Sequence, residues 1–305
     1  MAKWTILPPS DFRFEPVVYS HGWFQCAPFR WDAARRRLQR VLLLPGTSPT
    51  VVSISETSCG ALELEVSGRM PAAGRRAAVE RAVTRILAFA SDLGAFHSLC
   101  RQHPRLASAP ALGAGRLLRC PTLWEEMVKS ICGTNVAWRQ AVRMIDRVCE
   151  LGETVPGAED RHAWPLPAAV LDAGESVLRE RCRVGYRAGA IVELAGRIES
   201  GELDLGPAER GELDVEELRD LFLSVKGIGK ATAAYLLLVS GHGRELTIDS
   251  SVYAYMAEEY FDGRRPTDAE IRAVYEPFGE WAGLAHWFDG VVNSWWPSAG
   301  VVVSP

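Results

Sequence analysis

One short stretch of the chain combines two glycines and two lysines in an order that could bind a phosphate. Gly227 and Gly229 form a Gly-Ile-Gly turn flanked by Lys226 and Lys230, although the 305 residues contain only four lysines. Glycine tolerates backbone conformations and close approaches that other residues avoid, so this turn suits a hairpin between two helices. The free N–H groups at the start of the second helix, together with its dipole, would form an anion site. Gly-x-Gly alone is a weak signal, and an ordinary turn in a helical core is the alternative.

An acid follows the turn at a distance that could place it beside a bound phosphate. Asp249 lies 19 residues beyond Lys230, at the start of another predicted helix. A carboxylate beside a bound phosphate group can stabilise positive charge that develops in a transition state, and it can orient or deprotonate an attacking water. An aspartate before two serines could also simply cap the helix, and one side chain can do both. Asp249 is therefore the candidate catalytic residue.

The elements that must position these residues differ between the two ends of the chain. Residues 4–70 contain β-branched or alternating runs at 41–45, 50–55 and 61–68, separated by turn signals, which predicts strands. From residue 74 the apolar residues recur with a helical period. We predict a mainly α protein (α+β) with an N-terminal antiparallel β subdomain at 1–73 and a helical body at 74–305, whose helix-hairpin-helix lies at 218–240. The predicted helices are 74–92, 92–101, 121–133, 136–151, 167–173, 175–182, 187–200, 214–224, 230–240, 249–261, 267–276 and 280–294.

Composition limits the class of protein. The hydrophobic fraction of 48% and the charged fraction of 24% are those of a globular protein. No apolar run reaches the roughly 18 residues of a membrane span, and residues 1–16 lack the apolar core of a signal peptide. The seven cysteines form no C-x-x-C pair, which favours reduced thiols in the cytoplasm and gives no support for structural zinc.

The charge is distributed unevenly. The net charge is −4, but residues 1–119 hold 16 Lys and Arg against 8 Asp and Glu, and residues 120–305 hold 18 against 30. Nucleic-acid binding depends on where the positive charge lies rather than on its sum. A DNA partner held by few phosphate contacts and by backbone N–H groups is compatible with this pattern.

These features together resemble the helix-hairpin-helix DNA glycosylases, in the branch that includes the 8-oxoguanine and bacterial alkyladenine enzymes. Segments 14–32, 92–138, 185–195 and 278–288 resemble further signatures of that branch, in the same order as in the family. The resemblance implies the helix-hairpin-helix DNA glycosylase fold and cleavage of the N-glycosidic bond of a damaged or modified base, flipped from double-stranded DNA during base excision repair. Double-stranded DNA with a damaged base or an abasic site would be its partner.

The resemblance also implies a mechanism. Asp249 matches the family's catalytic aspartate, and Ala231 stands where bifunctional relatives carry the lysine that forms a Schiff base with the sugar. Lys230 lies one residue earlier, about 100° around the helix. A monofunctional enzyme that uses water as the nucleophile is therefore implied. A bifunctional glycosylase/AP lyase using Lys230 and a catalytically inactive DNA-damage-binding protein are the alternatives.

Three further residues match the family's DNA contacts. Tyr186 matches a wedge that inserts into the base stack, Arg187 beside it could reach a phosphate, and Asn135 matches a contact to the orphaned partner base. A packed core tyrosine and a helix-capping amide are the alternatives for Tyr186 and Asn135. With Lys226, Gly227, Gly229 and Lys230 they form the predicted DNA-binding set.

The residues that match the family's base pocket differ from the 8-oxoguanine pattern. His286 replaces a base-reading glutamine, Gly290 replaces a stacking phenylalanine, and Tyr235 replaces a small residue. Trp23 and Trp287 complete the predicted pocket, because aromatic rings can stack on a flipped, electron-poor base. The alternative is that the aromatic residues and His286 belong to the core. The pattern leans toward an alkylated or otherwise modified purine and leaves the lesion and the opposite base open.

The same resemblance bears on cofactors and assembly. No cysteine follows Cys182, so the C-terminal iron–sulfur loop of some relatives is missing and no cluster is expected. No metal or other cofactor is expected. A monovalent cation could bind at the hairpin, and the resemblance leaves that question open. We expect a monomer in the cytoplasm, associated with the nucleoid if the source is bacterial, and no membrane partner.

Overall fold

An antiparallel sheet precedes a helical body in the computed structural model, which describes residues 2–67 and 73–298. The strands are β1 (Ala2–Ile6), β2 (Phe29–Asp32), β3 (Arg37–Leu42), β4 (Thr50–Glu56), β5 (Leu62–Val66), β6 (Thr154–Val155) and β7 (Ala158–His162). The helices are α1 (Phe14–Val18), α2 (Ala73–Ile86), α3 (Gly94–Cys100), α4 (Leu123–Gly133), α5 (Trp138–Cys149), α6 (Pro167–Glu180), α7 (Ala188–Glu199), α8 (Gly206–Arg210), α9 (Val215–Leu223), α10 (Lys230–Ser240), α11 (Ser250–Tyr260), α12 (Asp268–Tyr275), α13 (Ala282–Gly290) and α14 (Trp296–Ser298). The predicted fold class, mainly α with an N-terminal antiparallel sheet, is confirmed.

The sheet has the strand order β1-β5-β4-β3-β2, with all neighbours antiparallel. Along β5 the buried residues alternate with glutamates, as expected for a sheet with one face in the core. The register places Leu64 between Trp4 of β1 and Ile54 of β4. The strands predicted at 50–55 and 61–68 correspond to β4 and β5, whereas β3 begins earlier than the predicted run at 41–45.

Glycine conformation explains one detail of the helical body. Gly174 has φ 76° and interrupts α6, which separates the helices predicted at 167–173 and 175–182. The helix predicted at 280–294 corresponds to α13 and the π-helical turn (Val291–Trp295) that directly continues it. It is preceded by a 3₁₀ turn (Glu276–Trp281), in which Gly279 has a non-helical φ of 55° and ψ of −119°.

Helix α10 joins two hydrophobic clusters. Its Leu236 and Leu237 belong to a cluster that also contains the sheet, α2, α4, α5 and α7, and its Leu238 and Val239 belong to a second cluster with α3, α11, α12 and α13. Tyr235 packs against both clusters. The domain division predicted at residue 73 stays a prediction, because 68–72 lie outside the described residues and the sheet shares its core with the helices. In the described ranges no helix is long and apolar enough to cross a membrane.

Candidate active site

The hairpin between α9 and α10 leaves the start of α10 open. Gly227 has φ 88°, a left-handed conformation that glycine adopts without strain. Gly229 precedes α10 in an extended conformation, no side chain caps the helix there, and a Cβ at Gly229 would meet nothing within 4 Å. Ala233 makes the first backbone hydrogen bond of the helix, donating to the carbonyl of Gly229 at 2.8 Å. The N–H groups of residues 230–232 have no partner in the described part of the chain and can bind an anion.

The two hairpin lysines occupy different positions. Lys226 is exposed, and its Nζ lies 3.5 Å from Oε2 of Glu193. Lys230 is also exposed and lines a large cavity beside the hairpin, as does Ala231. Ala231, at the position of the relatives' Schiff-base lysine, and Lys230, the alternative lysine, therefore both lie on the wall of the same cavity.

That cavity has a volume of about 940 Å³ and brings together residues from distant parts of the sequence. Ten of the predicted site residues line it, namely Trp23, Asn135, Tyr186, Gly227, Gly229, Lys230, Tyr235, Asp249, His286 and Trp287. Two predicted residues, Lys226 and Arg187, lie outside its wall. Its size is in the range of small-molecule sites and suits a nucleobase with its sugar.

Asp249 caps α11 with one of its two carboxylate oxygens. Its Oδ1 accepts hydrogen bonds from the N–H of Ser251 (2.9 Å), the hydroxyl of Ser251 (2.7 Å) and the N–H of Val252 (3.2 Å). Its Oδ2 accepts none in the described part of the chain, and the residue is exposed to the cavity. The capping role that the sequence suggested is present, and it leaves one oxygen available for a ligand.

A buried glutamate that the sequence analysis missed organises the aromatic wall of the cavity. Oε1 of Glu126 accepts hydrogen bonds from the indole N–H of Trp23 and from the hydroxyl of Tyr235, the latter at 3.1 Å. Oε2 of Glu126 accepts the N–H of Cys120 at 2.8 Å. The Trp23 and Tyr235 rings meet edge to face with centroids 6.0 Å apart. Burial, with the Glu126 carboxylate close by, raises the pKa of Tyr235 well above its usual value, so its hydroxyl stays a donor.

His21 fixes the other side of this wall. Nε2 of His21 lies 2.6 Å from the carbonyl of Leu118, and Nδ1 accepts the N–H of Trp23 at 3.3 Å. A carbonyl can only accept, so the ring is the neutral tautomer with its proton on Nε2. Burial lowers the pKa of His21 to about 4, which agrees with that state. The ring stands edge to face against Trp23, Tyr235 and Trp287, with centroids 5.5, 6.0 and 6.3 Å away.

His286 lines the same cavity and has a ring nitrogen without a partner in the described part of the chain. The residue is 6% exposed, its ring stands edge to face on Tyr275, and its buried Nδ1 has no hydrogen-bond partner. Burial lowers the pKa of His286 to about 4, although the carboxylates of Asp289 and Asp249 act in the other direction. A neutral imidazole facing the cavity can donate one hydrogen bond and accept another.

The buried carboxylate of Asp289 accepts hydrogen bonds from several residues near His286. Asp289 is fully buried at the end of α13. Its five donors come from four parts of the chain, and they are Arg105, Tyr255, Tyr260, Tyr275 and Asn293. Burial alone would raise the pKa of Asp289, but the hydrogen bonds from these groups outweigh it and lower the pKa. Because Tyr255 lines the cavity, this network links α11 and α13 at the cavity wall.

The residues predicted to enter the DNA stack form one exposed edge of the cavity. Tyr186 is 66% exposed, and Asn135 has φ 48°, the left-handed conformation in which asparagine is enriched. Arg187 is 6% exposed and lies 4.5 Å from the centroid of the Tyr186 ring. Its guanidinium donates to the carbonyl of Thr134 and, at 3.3 Å, to that of Val184. The structure therefore places Arg187 beneath Tyr186, where it joins the two segments of this edge.

The sequence analysis did not assign four residues that line the cavity or hold its aromatic wall. Trp295 lines the cavity, and Glu126, His21 and Trp138 contact Trp23 beside it. Trp138 packs over Gly22 so closely that a Cβ there would lie 2.1 Å from its ring, and its indole N–H donates to Gln25 at 2.7 Å. A charged pair inside the apolar helix 121–133 was the one available signal for Glu126. The contacts of His21 with Leu118 and of Trp138 with Gln25 join residues 97 and 113 positions apart, which no local pattern reveals.

The site holds no evident metal-binding arrangement. No group of three or more His, Cys, Asp or Glu side chains that could hold a metal ion occurs within 2–67 and 73–298. The seven cysteines are unpaired, and six of them are buried.

No protein-family model matches the chain, and no curated protein matches it. Solved structures do match it over nearly its whole length. A 3-methyladenine DNA glycosylase from Archaeoglobus fulgidus is 20% identical, with a TM-score of 0.76 over 96% of this chain and 99% of the other. The apo-form of an 8-oxoguanine glycosylase/lyase from Clostridium acetobutylicum is 17% identical, with a TM-score of 0.74 over 95% and 96%. The complex of the latter with double-stranded DNA containing cytosine opposite 8-oxoguanine has a TM-score of 0.73 at 17% identity, over 98% of this chain and 99% of the other. The chain therefore has the fold of the helix-hairpin-helix DNA glycosylases, as the hairpin and the four further segments predicted.

Proposed function

We propose that the protein is a DNA glycosylase of base excision repair that hydrolyses the N-glycosidic bond of a damaged base, a modified purine, flipped out of duplex DNA. One observation carries the proposal: a single cavity combines an uncapped helix start, an exposed carboxylate oxygen and an aromatic wall. The solved structures with the same fold are named as DNA glycosylases, and one of them contains double-stranded DNA.

The chemistry assigned to Asp249 follows from its free oxygen. As the bond between C1′ and the base nitrogen breaks, its electron pair leaves with the base and positive charge develops on the sugar. The Asp249 carboxylate stabilises that charge, and Oδ2 accepts a proton from the water whose oxygen forms the new bond to C1′. The proton then passes to the departing base or to solvent. Oδ1 stays engaged by the start of α11 throughout, which fixes the direction of the carboxylate.

The hairpin supplies the grip on DNA. The free N–H groups of residues 230–232 face one phosphate, Lys230 faces the cavity side of the strand, and Lys226 adds an exposed charge. Tyr186 and Asn135 occupy the gap left by the flipped base. Arg187 supports Tyr186 from below rather than binding a phosphate itself, because it is buried and already hydrogen-bonded. No cofactor takes part, and the enzyme acts as a cytoplasmic monomer.

The aromatic wall selects the base. Trp23, Tyr235 and Trp287 present rings against which a flipped purine stacks, and stacking strengthens when the base is electron-poor. His286 lines the same cavity with a neutral imidazole ring. Because a neutral imidazole both donates and accepts, this pocket discriminates less sharply than a site built around one fixed donor.

Water is the proposed nucleophile. Ala231 lines the cavity with a methyl group that cannot form a Schiff base, so a monofunctional reaction follows. Lys230 lines the same cavity and makes a bifunctional glycosylase/AP lyase the second candidate. The two reactions leave different products, because a lyase breaks the DNA strand and a monofunctional enzyme leaves an intact abasic strand.

The test is a set of duplexes that each carry one lesion: 3-methyladenine, 7-methylguanine, hypoxanthine or 8-oxoguanine. After incubation, half of each sample is treated with alkali, and strand breaks are measured. We expect breaks at a modified purine only after alkali. Breaks without alkali that disappear in Lys230→Gln would establish the lyase, and release of no base with tight binding to an abasic site would establish a damage-binding protein.

A pair of cap variants tests Asp249. Asp249→Asn keeps a side-chain acceptor at the start of α11, so the fold and DNA affinity persist, whereas excision falls by about 100-fold or more. Asp214 caps α9 in the same way, accepting the N–H groups of Glu216 and Glu217, and lies outside the cavity wall. Asp214→Asn is therefore the matched control, and its excision rate should equal that of the unmodified protein. Equal loss in both variants would remove Asp249 from its proposed role.

A further inference from the structure

A second cavity lies at the far end of α10. It has a volume of about 400 Å³ and is lined by residues from 90–95, by Arg119 and by residues near Ser240 and Trp281, none of which line the large cavity. The large cavity adjoins the start of α10 at Lys230, and this one adjoins its end at Ser240. At 1.5 Å per residue the two ends lie about 15 Å apart.

An arginine without an acidic partner dominates this second cavity. Arg119 has no carboxylate within 4.0 Å in the described part of the chain, and its one side-chain hydrogen bond goes to the hydroxyl of Ser91 at 3.5 Å. Its Nε is buried without a partner. Arg40 and Arg116 also have an unpartnered Nε, but their other guanidinium nitrogens pair with Glu125 and Asp11. A half-buried guanidinium without such a pair is costly unless something else neutralises it.

The charges around Arg119 increase this imbalance. Burial lowers the pKa of Arg119 to about 10, and the nearby Arg85 acts in the same direction, while Glu126 opposes them. Arg85 has no ion pair of its own within 2–67 and 73–298 and donates only to the carbonyl of Glu209, at 3.4 Å. Asp92 is the one acid on the cavity wall, and its Oδ1 already accepts the N–H of Gly94 at 3.0 Å.

Two further donors in the same cavity lack acceptors. The hydroxyl of Ser240 and the indole N–H of Trp281 are buried without partners, and both residues line the wall beside Arg119. Buried polar groups in folded proteins nearly always have a partner, so three such donors around one cavity call for an acceptor. A ligand that satisfies all three donors and the charge of Arg119 would carry negative charge and several acceptor atoms.

We propose that this second cavity binds a small oxyanion, a phosphate or the phosphate group of a small molecule. The fork of the guanidinium fits two oxygens of such a group, and Ser240 and Trp281 donate to the others. The site is separate from the hairpin, so it holds a ligand that is not the DNA strand in the large cavity.

Inorganic phosphate is the probe. Thermal unfolding and indole fluorescence are followed as phosphate replaces chloride at constant ionic strength, in the unmodified protein, Arg119→Gln, Arg119→Lys and Lys230→Gln. We expect a saturable rise in the unfolding temperature, with an apparent affinity about tenfold or more weaker in Arg119→Gln and partly recovered in Arg119→Lys. Lys230→Gln reports any phosphate bound at the hairpin, and a saturable response from the second cavity should persist in it.

Three outcomes would overturn the proposal. An equal rise in all four proteins would show general exclusion of the salt from the protein surface. Loss of the response in Lys230→Gln alone would place the phosphate at the hairpin, and no response in the unmodified protein would show that the cavity holds only water. If Arg119→Gln does not fold, Ser240→Ala and Trp281→Phe carry the same comparison, because each removes one donor and no charge.

Discussion

Replacing Glu126 by glutamine should weaken the aromatic wall while keeping the size of the side chain at position 126. Glu126 is 2% exposed, and its two oxygens accept three hydrogen bonds, from Trp23, Tyr235 and Cys120. A glutamine side chain has one acceptor oxygen and one donor NH₂ group. Whichever way the amide is oriented, at least one of the three donors then faces another donor.

The size of the effect follows from the number of donors that lose their acceptor. A buried donor without a partner costs about 1–3 kcal/mol, so Glu126→Gln should lower the free energy of unfolding by about that amount. Alanine would leave all three donors unpaired at a cost of roughly 3–9 kcal/mol, close to the whole stability of a typical protein. Arg40 and Lys129 both pair with Glu125, so Glu126→Gln leaves those buried ion pairs in place. Glutamine is therefore the informative change.

A double-mutant cycle isolates the contact to the wall. Tyr235→Phe removes one of the three donors and keeps the ring. In Glu126→Gln the bond from Tyr235 goes to a neutral amide oxygen or is lost, so Tyr235→Phe should cost less in that background, with a coupling of about 1 kcal/mol in denaturant unfolding. Tyr253→Phe is the matched control, because the Tyr253 hydroxyl donates to Asp268 and makes no contact with Glu126. Additivity of Glu126→Gln with Tyr235→Phe within about 0.5 kcal/mol would refute the account of this wall. The same variants should lower base excision, because they displace the Trp23 and Tyr235 rings.

Three further predictions concern the hairpin, the histidines and the thiols. Gly227→Ala places a side chain at φ 88° and should cost about 1–2 kcal/mol and weaken DNA binding, whereas Gly229→Ala, at φ −95° and in open space, should leave the unfolding temperature nearly unchanged. The pKa values of His21 and His286 are lowered to about 4, so the unfolded chain takes up protons first as the pH falls. The free energy of unfolding should keep its full value above pH 6.5 and should fall between about pH 6.5 and 4, by an amount on the order of 3 kcal/mol per histidine. His286→Gln should make this pH dependence shallower in denaturant unfolding. A flat profile in the unmodified protein would contradict the burial of these rings. Cys59 is the exposed cysteine of the seven. A thiol reagent should therefore label one site in the folded protein and seven after unfolding, as counted by mass spectrometry. Rapid labelling of a second site in the folded protein would contradict the packing of the core.

Local patterns predicted the elements whose cause is itself local. The hairpin helix at 230–240 matches α10, and the break at Gly174 follows from a glycine in a left-handed conformation. The β6–β7 hairpin was missed because its residues, such as those of Ala158–His162, are mostly polar and do not alternate. Its place depends on side-chain contacts to the sheet, including Arg30 with Asp160 and Arg161 with Gln39. Such contacts have no signature in a single sequence.

The candidate site divides in the same way. Asp249 and the glycines of the hairpin were predicted because their chemistry depends on neighbours in sequence. The orientation of the Arg187 side chain was not predicted. Its guanidinium donates to the carbonyls of Thr134 and Val184, and Thr134 is more than 50 residues away in sequence. Glu126 and His21 were missed for the same reason, since their partners lie up to 109 positions away in sequence.

Helix α10 explains why these separate contacts produce one site. Its first turn carries the open N–H groups and Lys230, its second turn carries Tyr235, and its last residues pack in the second hydrophobic cluster. A displacement of the helix along its axis would therefore move the phosphate grip and the aromatic wall together. The hydrogen bond from Tyr235 to Glu126 on α4 opposes that displacement, and the wall depends on it. The buried carboxylate of Glu126, rather than the hairpin, thus holds α10 in place against α4.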